Sequence, residues 1–365
     1  MVDYQEQIVE IEKELAKMQY NKRTQAHYGL LRAKIAKLRE ADDNRSKKSQ
    51  GPKSGYEVRK TGDGTVILLG FPSVGKSTLL NELTDADSEI GMYAFTTLSV
   101  IPGTLEHKHA RIQILDVPGI VSGAASGRGR GKEVLATMRS ADLCLMVIDA
   151  TRPHEIDHLR KEVYDAGIRL DKRAPDVKVT KKGKDGLSIG ATVPIKNIDE
   201  KTITNILKEF KIINADVVLR DDVTADEFLD VIEANKIYMP SLLVFNKTDL
   251  VTPQQKKALE KKYKPDLFIS AKNKDQIDEL KEAIYQKLDL IRIFMKEPGK
   301  DADMEVPLVM FRNCTVRDVC QKLHKDFVKK FKFSRVWGKS AKFPGQRLML
   351  KHKLRDKDVV EIHTR

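Results

Sequence analysis

Residues 70–78 combine two glycines, a lysine and three hydroxyl side chains in the order G-F-P-S-V-G-K-S-T. An apolar segment, T-V-I-L-L, precedes them and a helical pattern, T-L-L-N-E-L, follows, which is the context that a G-x-x-x-x-G-K-[ST] phosphate-binding loop requires. Gly70 and Gly75 allow backbone amides to turn toward phosphate oxygens. Lys76 can reach the outer phosphates, and Ser77 offers a hydroxyl to Mg²⁺. The predicted nucleotide contacts are Gly70, Phe71, Pro72, Ser73, Val74, Gly75, Lys76, Ser77 and Thr78.

A carboxylate ends the later apolar run A-R-I-Q-I-L-D, and a glycine follows it closely. Asp116 is placed to hold the metal ion, usually through a water molecule, and the amide of Gly119 can approach a terminal phosphate. A D-x-x-G match alone is weak evidence, but its position after the phosphate loop favours this interpretation. The predicted contacts are Asp116, Val117, Pro118 and Gly119.

The segment between these two loops, M-Y-A-F-T-T-L-S-V, contributes Phe95, Thr96 and Thr97 to the predicted nucleotide site. One of the two threonines is expected to reach Mg²⁺ in the triphosphate state. The alternative is an ordinary pair of strand-forming threonines, and for Thr96 this alternative is the better interpretation.

Two further segments are predicted to bind the base. F-N-K-T-D-L follows an apolar strand and resembles the N-K-x-D element of GTPases, in which the aspartate accepts two hydrogen bonds from guanine. Adenine would leave that carboxylate partly unpaired, at a cost of roughly 1 to 3 kcal/mol, so guanine should be preferred. S-A-K follows L-F-I and completes the base loop, with the Ala271 amide expected to meet the guanine carbonyl. The predicted base contacts are Asn246, Lys247, Asp249, Ser270, Ala271 and Lys272.

The elements that must position these loops are apolar strands alternating with amphipathic helices from Thr65 onward. This alternation predicts an α/β fold with a mostly parallel, doubly wound sheet of the P-loop NTPase type. An interruption that includes the basic turn K-V-T-K-K-G-K-D-G-L-S-I-G predicts an inserted α+β subdomain. The predicted organisation is an N-terminal helical hairpin (1–45), a linker (46–62), a G domain (63–290) containing the inserted subdomain (168–238), and a C-terminal β-grasp module (291–365). The hairpin has thin apolar faces and must pack on another element or a partner.

The net charge of +13 favours polyanionic partners. Positive charge is concentrated between Gln321 and Arg355, where Asp326 is the one acidic residue. Cations there can contact phosphates, and exposed rings can stack on unpaired bases; alternatively, the rings fill a small core and the lysines only solubilise it. We favour RNA contact for the charges and core packing for most of the rings. The interleaved rings are Phe331, Phe333, Trp337 and Phe343.

Composition limits the cellular setting. No uncharged apolar run is long enough to span a bilayer, and the acidic N-terminal segment is unlike a signal peptide. We expect a cytoplasmic monomer without a membrane partner. Cys144, Cys314 and Cys320 give no metal-ligand quartet and are expected to be reduced.

The pattern H-E-x-x-H also occurs, from His154 to His158, and is typical of zinc proteases. It begins directly after D-A-T-R-P, where a helix is expected to start, and no third ligand is evident. The beginning of a surface helix therefore explains it better than a zinc hydrolase does.

Together with G-Y-E-V-R-K-T-G-D-G and D-V-P-G-I-V-S-G-A-A-S-G-R-G-R-G-K, these motifs resemble the developmentally regulated GTP-binding (DRG) branch of the Obg-related GTPases over nearly the whole chain. The resemblance implies a TGS module at the C-terminus, slow GTP hydrolysis to GDP with Mg²⁺, and association with the ribosome or rRNA. In eukaryotes it also implies a dedicated regulatory protein. It selects Thr97 as the magnesium ligand beside Ser77 and Asp116, and Lys76, Thr97 and Gly119 as the catalytic residues.

Ile120 lies where many GTPases have a glutamine that orients the attacking water. An apolar side chain cannot do this, so we expect slow intrinsic hydrolysis. Candidates for assistance are a bound partner, a K⁺ ion, and Arg128, Arg130 or Lys132. Some relatives hold K⁺ with an asparagine in the phosphate loop, where this chain has Ser73. The alternative function is an RNA-binding adaptor in which the nucleotide is mainly structural.

Overall fold

The computed structural model describes residues 4–48, 62–84, 101–116 and 138–364. None of the helices in these ranges combines the length and apolar character needed to cross a bilayer. The helices are α1 (Tyr4–Lys17), α2 (Gln25–Lys48), α3 (Lys76–Leu83), α4 (Glu155–Asp165), α5 (Glu200–Glu209), α6 (Ala225–Glu233), α7 (Pro253–Tyr263), α8 (Ile277–Lys287), α9 (Val316–Leu323) and α10 (Lys325–Lys329). The strands are β1 (Gly64–Leu69), β2 (Ile101–His107), β3 (Ala110–Asp116), β4 (Leu143–Asp149), β5 (Ile168–Leu170), β6 (Val177–Lys181), β7 (Leu187–Ala191), β8 (Ala215–Leu219), β9 (Ile237–Met239), β10 (Ser241–Asn246), β11 (Leu267–Phe268), β12 (Leu290–Lys296), β13 (Leu308–Phe311), β14 (Phe331–Trp337), β15 (Gln346–Leu348) and β16 (Asp358–Thr364).

The chain forms two compact units. The first unit contains α1, α2 and residues 167–238, and the second contains the other described residues.

The second unit is built on a six-stranded sheet with the order β11-β10-β4-β1-β3-β2. All neighbouring strands run parallel except β2 and β3, which form an antiparallel hairpin. Every residue of β1, β4 and β10 is buried, as expected for strands covered on both faces. Helices α3 and α8 contribute their apolar residues to the core on one face. The predicted mostly parallel sheet is confirmed.

The first unit differs from its predicted organisation. Helix α2 packs on α5 and α6, so the N-terminal hairpin and the inserted segment share one core rather than forming separate domains. Ala33 of α2 is fully buried in that core. Ion pairs reinforce the contact, from Arg32 to Asp226 at 2.7 Å and from Lys37 to Glu209 at 3.1 Å. The inserted segment therefore covers the thin apolar face of the hairpin.

Two local predictions in this unit were wrong. Helix α2 runs to Lys48, so the linker predicted from residue 46 begins inside a helix. The segment predicted as a basic turn also forms much of β6 and β7, which pair on either side of β8. Their alternate apolar residues pack into the core while the intervening ones face outward, which is the two-residue period of a strand.

The C-terminal module has a five-stranded sheet with the order β13-β12-β16-β14-β15. Strands β12 and β16 are parallel, and the other neighbours are antiparallel. Two short helices, α9 and α10, follow β13. They are separate because His324 between them has an extended backbone and its ring Nδ1 accepts a hydrogen bond from the amide of Asp326.

Candidate nucleotide-binding site

The candidate site lies at the carboxyl edge of the six-stranded sheet, where ligands bind in open α/β folds. The five parallel strands end there: β1 leads into the phosphate loop, β3 ends at Asp116, β4 at Asp149 and β10 at Asn246. The S-A-K segment follows β11 at the same edge. The sheet therefore brings together all the predicted segments that lie within the described residues.

The phosphate loop folds into a tight turn between β1 and α3. Ser73 and Gly75 have left-handed backbones, with φ of 64° and 94°, and Gly75 is the residue before the first turn of α3. In the described part of the chain no side chain caps this helix, so its first amides are available to bind an anion. A Cβ built at Gly70 would lie 2.4 Å from the carbonyl oxygen of Val147, which explains the glycine there.

Lys76, Ser77 and Asp116 lie together beneath this loop. Lys76 Nζ donates to the carbonyl oxygens of Gly70 and Phe71, at 2.8 and 3.0 Å. Burial lowers the pKa of Lys76, although the nearby Asp116 carboxylate opposes that change. Burial likewise raises the pKa of Asp116, against the lysine charge and the hydrogen bond from Ser77.

Ser77 and Asp116 together are suited to bind a magnesium ion. Ser77 Oγ lies 3.3 Å from Asp116 Oδ2, whereas Asp116 Oδ1 is buried and has no hydrogen-bond partner among the described residues. A buried, unpaired carboxylate oxygen is costly unless a cation or a donor satisfies it. Hydroxyl and carboxylate oxygens are the ligands that Mg²⁺ prefers, so the donor set is suitable.

The base loop and the phosphate loop are joined by Asn246. Its Nδ2 donates to the carbonyl oxygen of Val74 at 2.9 Å, and its Oδ1 accepts the amide of Ala271 at 3.0 Å. Asn246 is buried, so these bonds connect β10, the S-A-K segment and the phosphate loop in an environment that excludes water. The Ala271 amide, which was predicted to meet the guanine carbonyl, would have to be shared between that carbonyl and Asn246.

A cavity of about 270 Å³ opens beside these residues. Asp249 lines it, and one oxygen of its carboxylate accepts a hydrogen bond of 2.6 Å from Ser270 Oγ. The hydroxyl orients the carboxylate, which is the group expected to accept hydrogen bonds from a base edge. The lining residues are Gly75, Thr78, Asn246, Lys247, Asp249, Leu250, Ser270, Ala271 and Lys272.

Asp149 is a site residue that the sequence analysis missed. Its Oδ2 accepts a hydrogen bond of 2.7 Å from Lys247 Nζ, and its Oδ1 accepts from the amide and hydroxyl of Thr151 at 2.9 and 2.6 Å. Lys247 Nζ also donates to the carbonyl oxygen of Ser73 at 2.7 Å. Burial would raise the pKa of Asp149, but these hydrogen bonds and the lysine charge lower it to about 2. The available signal was a carboxylate at the end of the apolar strand L-C-L-M-V-I-D.

Comparison with known proteins agrees with this geometry. Residues 65–182 match the family model of 50S ribosome-binding GTPases, residues 184–290 match the C-terminal region of that domain, and residues 291–364 match the TGS domain. The chain is 51% identical over 362 residues to an uncharacterized GTP-binding protein of Methanocaldococcus jannaschii, covering 98% of this chain and 92% of the relative. It is 42% identical over 358 residues to developmentally regulated GTP-binding protein 2 of Homo sapiens, covering 98% of each. The chain belongs to the family of developmentally regulated GTP-binding proteins.

As a member of the developmentally regulated GTP-binding protein family, the chain is a GTPase that binds guanine nucleotides and carries a C-terminal TGS domain. The predicted resemblance and the predicted enzyme class are thereby confirmed. Six of the predicted nucleotide contacts lie outside the described residues, and their roles stay predictions. They are Phe95, Thr96, Thr97, Val117, Pro118 and Gly119.

The residues of the H-E-x-x-H pattern are not arranged to bind a zinc ion. His154 directly precedes α4, and both histidines are exposed at the helix surface. Glu155 is instead buried and forms an ion pair of 2.9 Å with Arg152. Within the described ranges, no group of three histidine, cysteine, aspartate or glutamate side chains is arranged as a metal site.

Proposed function

We propose that this GTPase binds GTP and Mg²⁺ at the carboxyl edge of its six-stranded sheet and that the triphosphate state controls its docking on ribosomal RNA. The observation that carries the nucleotide assignment is the direct linkage between base loop and phosphate loop. Asn246 and Lys247 donate to the carbonyl oxygens of Val74 and Ser73, so the guanine and phosphate halves are held at a fixed separation.

The phosphate half acts through backbone amides and one cation. The amides of the loop from Gly70 to Gly75 and of the first turn of α3 bind phosphate oxygens. Lys76 then exchanges its carbonyl partners for phosphate oxygens and neutralises charge that develops during transfer. The Gly119 amide is assigned to the terminal phosphate, as the family resemblance implies.

The metal ligands in this proposal are Ser77, Asp116 and Thr97. Asp116 supports the assignment for two of the three, because its Oδ2 accepts from the Ser77 hydroxyl while its buried Oδ1 has no partner among the described residues. A Mg²⁺ ion held there would reduce the negative charge of the phosphate oxygens. Thr97 is assigned by the family resemblance.

Hydrolysis should be slow because Ile120 offers no group to orient water. We propose that GTP hydrolysis is accelerated by a partner, by K⁺, or by Arg128, Arg130 or Lys132. Measuring GTP turnover in K⁺ and in Na⁺, each with and without ribosomes, distinguishes acceleration by the ion from acceleration by the partner. A turnover rate that increases only with ribosomes would show that the partner accelerates hydrolysis.

The proposed RNA surface is the C-terminal TGS domain. Its support is the concentration of cations after Gln321 and the ribosome-binding description of the matching GTPase family. The cations from Gln321 onward are Lys322, Lys325, Lys329, Lys330, Lys332, Arg335, Lys339, Lys342, Arg347, Lys351, Lys353 and Arg355.

The test is sedimentation of the full chain with ribosomes in the presence of GDP, of GTP, and of a non-hydrolysable GTP analogue. We expect tighter association with the triphosphate forms, and we expect Lys76→Ala to abolish the nucleotide dependence. Ribosome association and cellular function that survive in Lys76→Ala would instead support the adaptor, with nucleotide as a structural component. The same assay in the presence of a purified regulatory partner shows whether that partner changes docking.

A further inference from the structure

The five-stranded C-terminal sheet packs one face against α9, and we call the opposite face the open face. The open face carries side chains that the nucleotide site does not use. A β-bulge between Phe331 and Phe333 shifts the register of β14 against β16. Because of this extra residue, Phe331 packs into the core whereas Phe333 lies on the opposite face. The bulge thus directs an aromatic ring away from α9 and onto the open face.

Phe333 is the centre of a stack of three planar groups. Its ring lies 4.3 Å from the His363 ring, with an angle of 19° between their planes. The guanidinium of Arg347 lies 4.6 Å from the Phe333 centroid. Arg347 is exposed, and 24% of the His363 side chain is exposed, so both ends of the stack are accessible.

The charges on this face are not balanced. A row across the sheet pairs Lys296 with Glu361, Glu361 with Arg335, and Arg335 with Arg347. The single carboxylate in the row accepts hydrogen bonds from Lys296 at 2.9 Å and from His363 at 2.5 Å. In the part of the chain that the structure describes, Arg335 makes no ion pair. Like charges directly opposite each other destabilise a sheet, and the one carboxylate beside the two arginines is already hydrogen-bonded to Lys296 and His363.

We infer that this face binds unpaired RNA bases, with a base continuing the stack of Arg347, Phe333 and His363 while Arg335 holds a neighbouring phosphate. The inference rests on the proposed RNA-binding function and assigns it a surface and a class of RNA. Single-stranded RNA is recognised by bases stacked on aromatic rings and on guanidinium planes, beside cations that follow the backbone. The base-paired stem of a duplex offers no free base face to such a stack.

The geometry favours bases over an acidic protein as the occupant. A carboxylate would need only positive charge, which a lysine supplies as well as an arginine does. A base needs the planar guanidinium, which lysine lacks. The Arg347→Lys variant therefore separates the two, because it keeps the charge at an exposed position and removes the plane.

The experiment measures binding of single-stranded oligoadenylate and of an RNA duplex of equal length to the full chain with GDP bound. We expect Arg347→Lys to bind the single strand about 5- to 150-fold more weakly, the range typical for loss of one base stack. Its affinity for the duplex should be unchanged. Arg317→Lys is the matched control, since Arg317 is exposed on α9 of the same domain but lies outside both the stack and the cations from Gln321 onward; both affinities should match the wild type.

A second readout uses the single tryptophan of the chain, Trp337, which lies on the same face. Its fluorescence should change on addition of the single strand and stay constant on addition of the duplex. Phe333→Leu should weaken single-strand binding as Arg347→Lys does, while Phe327→Ala, on the helical side of the domain, should not. Retained GDP affinity and an unchanged melting temperature show that each variant is folded.

The outcomes distinguish this inference from the proposed function. If the wild type binds RNA and Arg347→Lys binds the single strand equally well, the stacking site is refuted but RNA docking stands. Equal weakening for single strand and duplex would also refute stacking, because the arginine would then act only through its charge. A wild type that binds neither RNA nor ribosomes would refute the proposed RNA-binding function itself.

Discussion

Replacing Asp149 by asparagine removes the negative charge that holds Lys247 against the phosphate loop. The ordinary pKa of this carboxyl is 3.8, and in the folded protein it falls to about 2. Since each tenfold change in proton affinity corresponds to about 1.4 kcal/mol, the folded state stabilises the carboxylate by about 2 kcal/mol. Only 3% of the Asp149 side chain is exposed, so solvent screens little of this energy. Asp149→Asn should therefore lower the free energy of unfolding by about 2 kcal/mol at neutral pH.

The pH dependence follows from the direction of the pKa change. A carboxyl whose pKa is lowered by folding stabilises the protein above its unfolded pKa and loses that contribution as the pH falls through the folded value. The difference in the free energy of unfolding between wild type and Asp149→Asn should stay constant from neutral pH to about 4. It should shrink toward zero near pH 2. Urea unfolding followed by circular dichroism at several pH values measures it.

The control for this substitution is Glu260→Gln, a change from carboxylate to amide at an exposed position of α7. Its effect should stay within about 0.5 kcal/mol at every pH. A difference between wild type and Asp149→Asn no larger than that of the control, or one that does not depend on pH, would refute the role given to the Asp149 carboxylate.

Three other substitutions test separate parts of the structure. Asp249→Asn should weaken GTP binding and favour xanthine nucleotides in a competition assay, and unchanged GTP affinity would contradict the base assignment. Gly70→Ala should weaken nucleotide binding and destabilise the chain by about 1 to 3 kcal/mol, because its Cβ would lie 2.4 Å from a carbonyl oxygen of β4. Gly183→Ala, whose Cβ meets nothing within 4 Å, is its control. Asp230→Ala removes the bidentate partner of the buried Arg169, so urea unfolding should show a loss of about 3 to 5 kcal/mol; a loss below 1 kcal/mol would contradict this role.

The loops of the nucleotide site could be predicted because local sequence determines them. In the phosphate loop, glycines at fixed spacing between an apolar strand and a helix leave few other conformations. The positions of Asn246 and Ser270 follow from strands that end at one edge of a parallel sheet. The fold class was predicted for the same reason, since near-continuous apolar strands separated by helices require a sheet covered on both faces.

Contacts between distant parts of the chain could not be predicted in this way. A single aspartate at the end of a strand gives no sign that Lys247 will reach it, so Asp149 was missed. The apolar face of α2 shows that the helix must pack on something, but it does not identify α5 and α6 as the partners. In β6 and β7, exposed lysines and glycines mask the alternation of apolar residues, and a turn was predicted instead of strands.

Among the described residues, the hydrogen bonds that join the base-binding segments to the phosphate loop come from Asn246 and Lys247, at the end of β10. Asn246 makes two buried hydrogen bonds, one to the phosphate loop at Val74 and one to the S-A-K segment at Ala271. Asn246→Ala leaves the carbonyl of Val74 and the amide of Ala271 without these partners, at a cost of about 1 to 3 kcal/mol each. Because GTP and GDP share the base and the first two phosphates, this cost should weaken both nucleotides by the same factor. Titration of each nucleotide measures the ratio of the two dissociation constants, and a changed ratio would mean that the base half of the site senses the terminal phosphate.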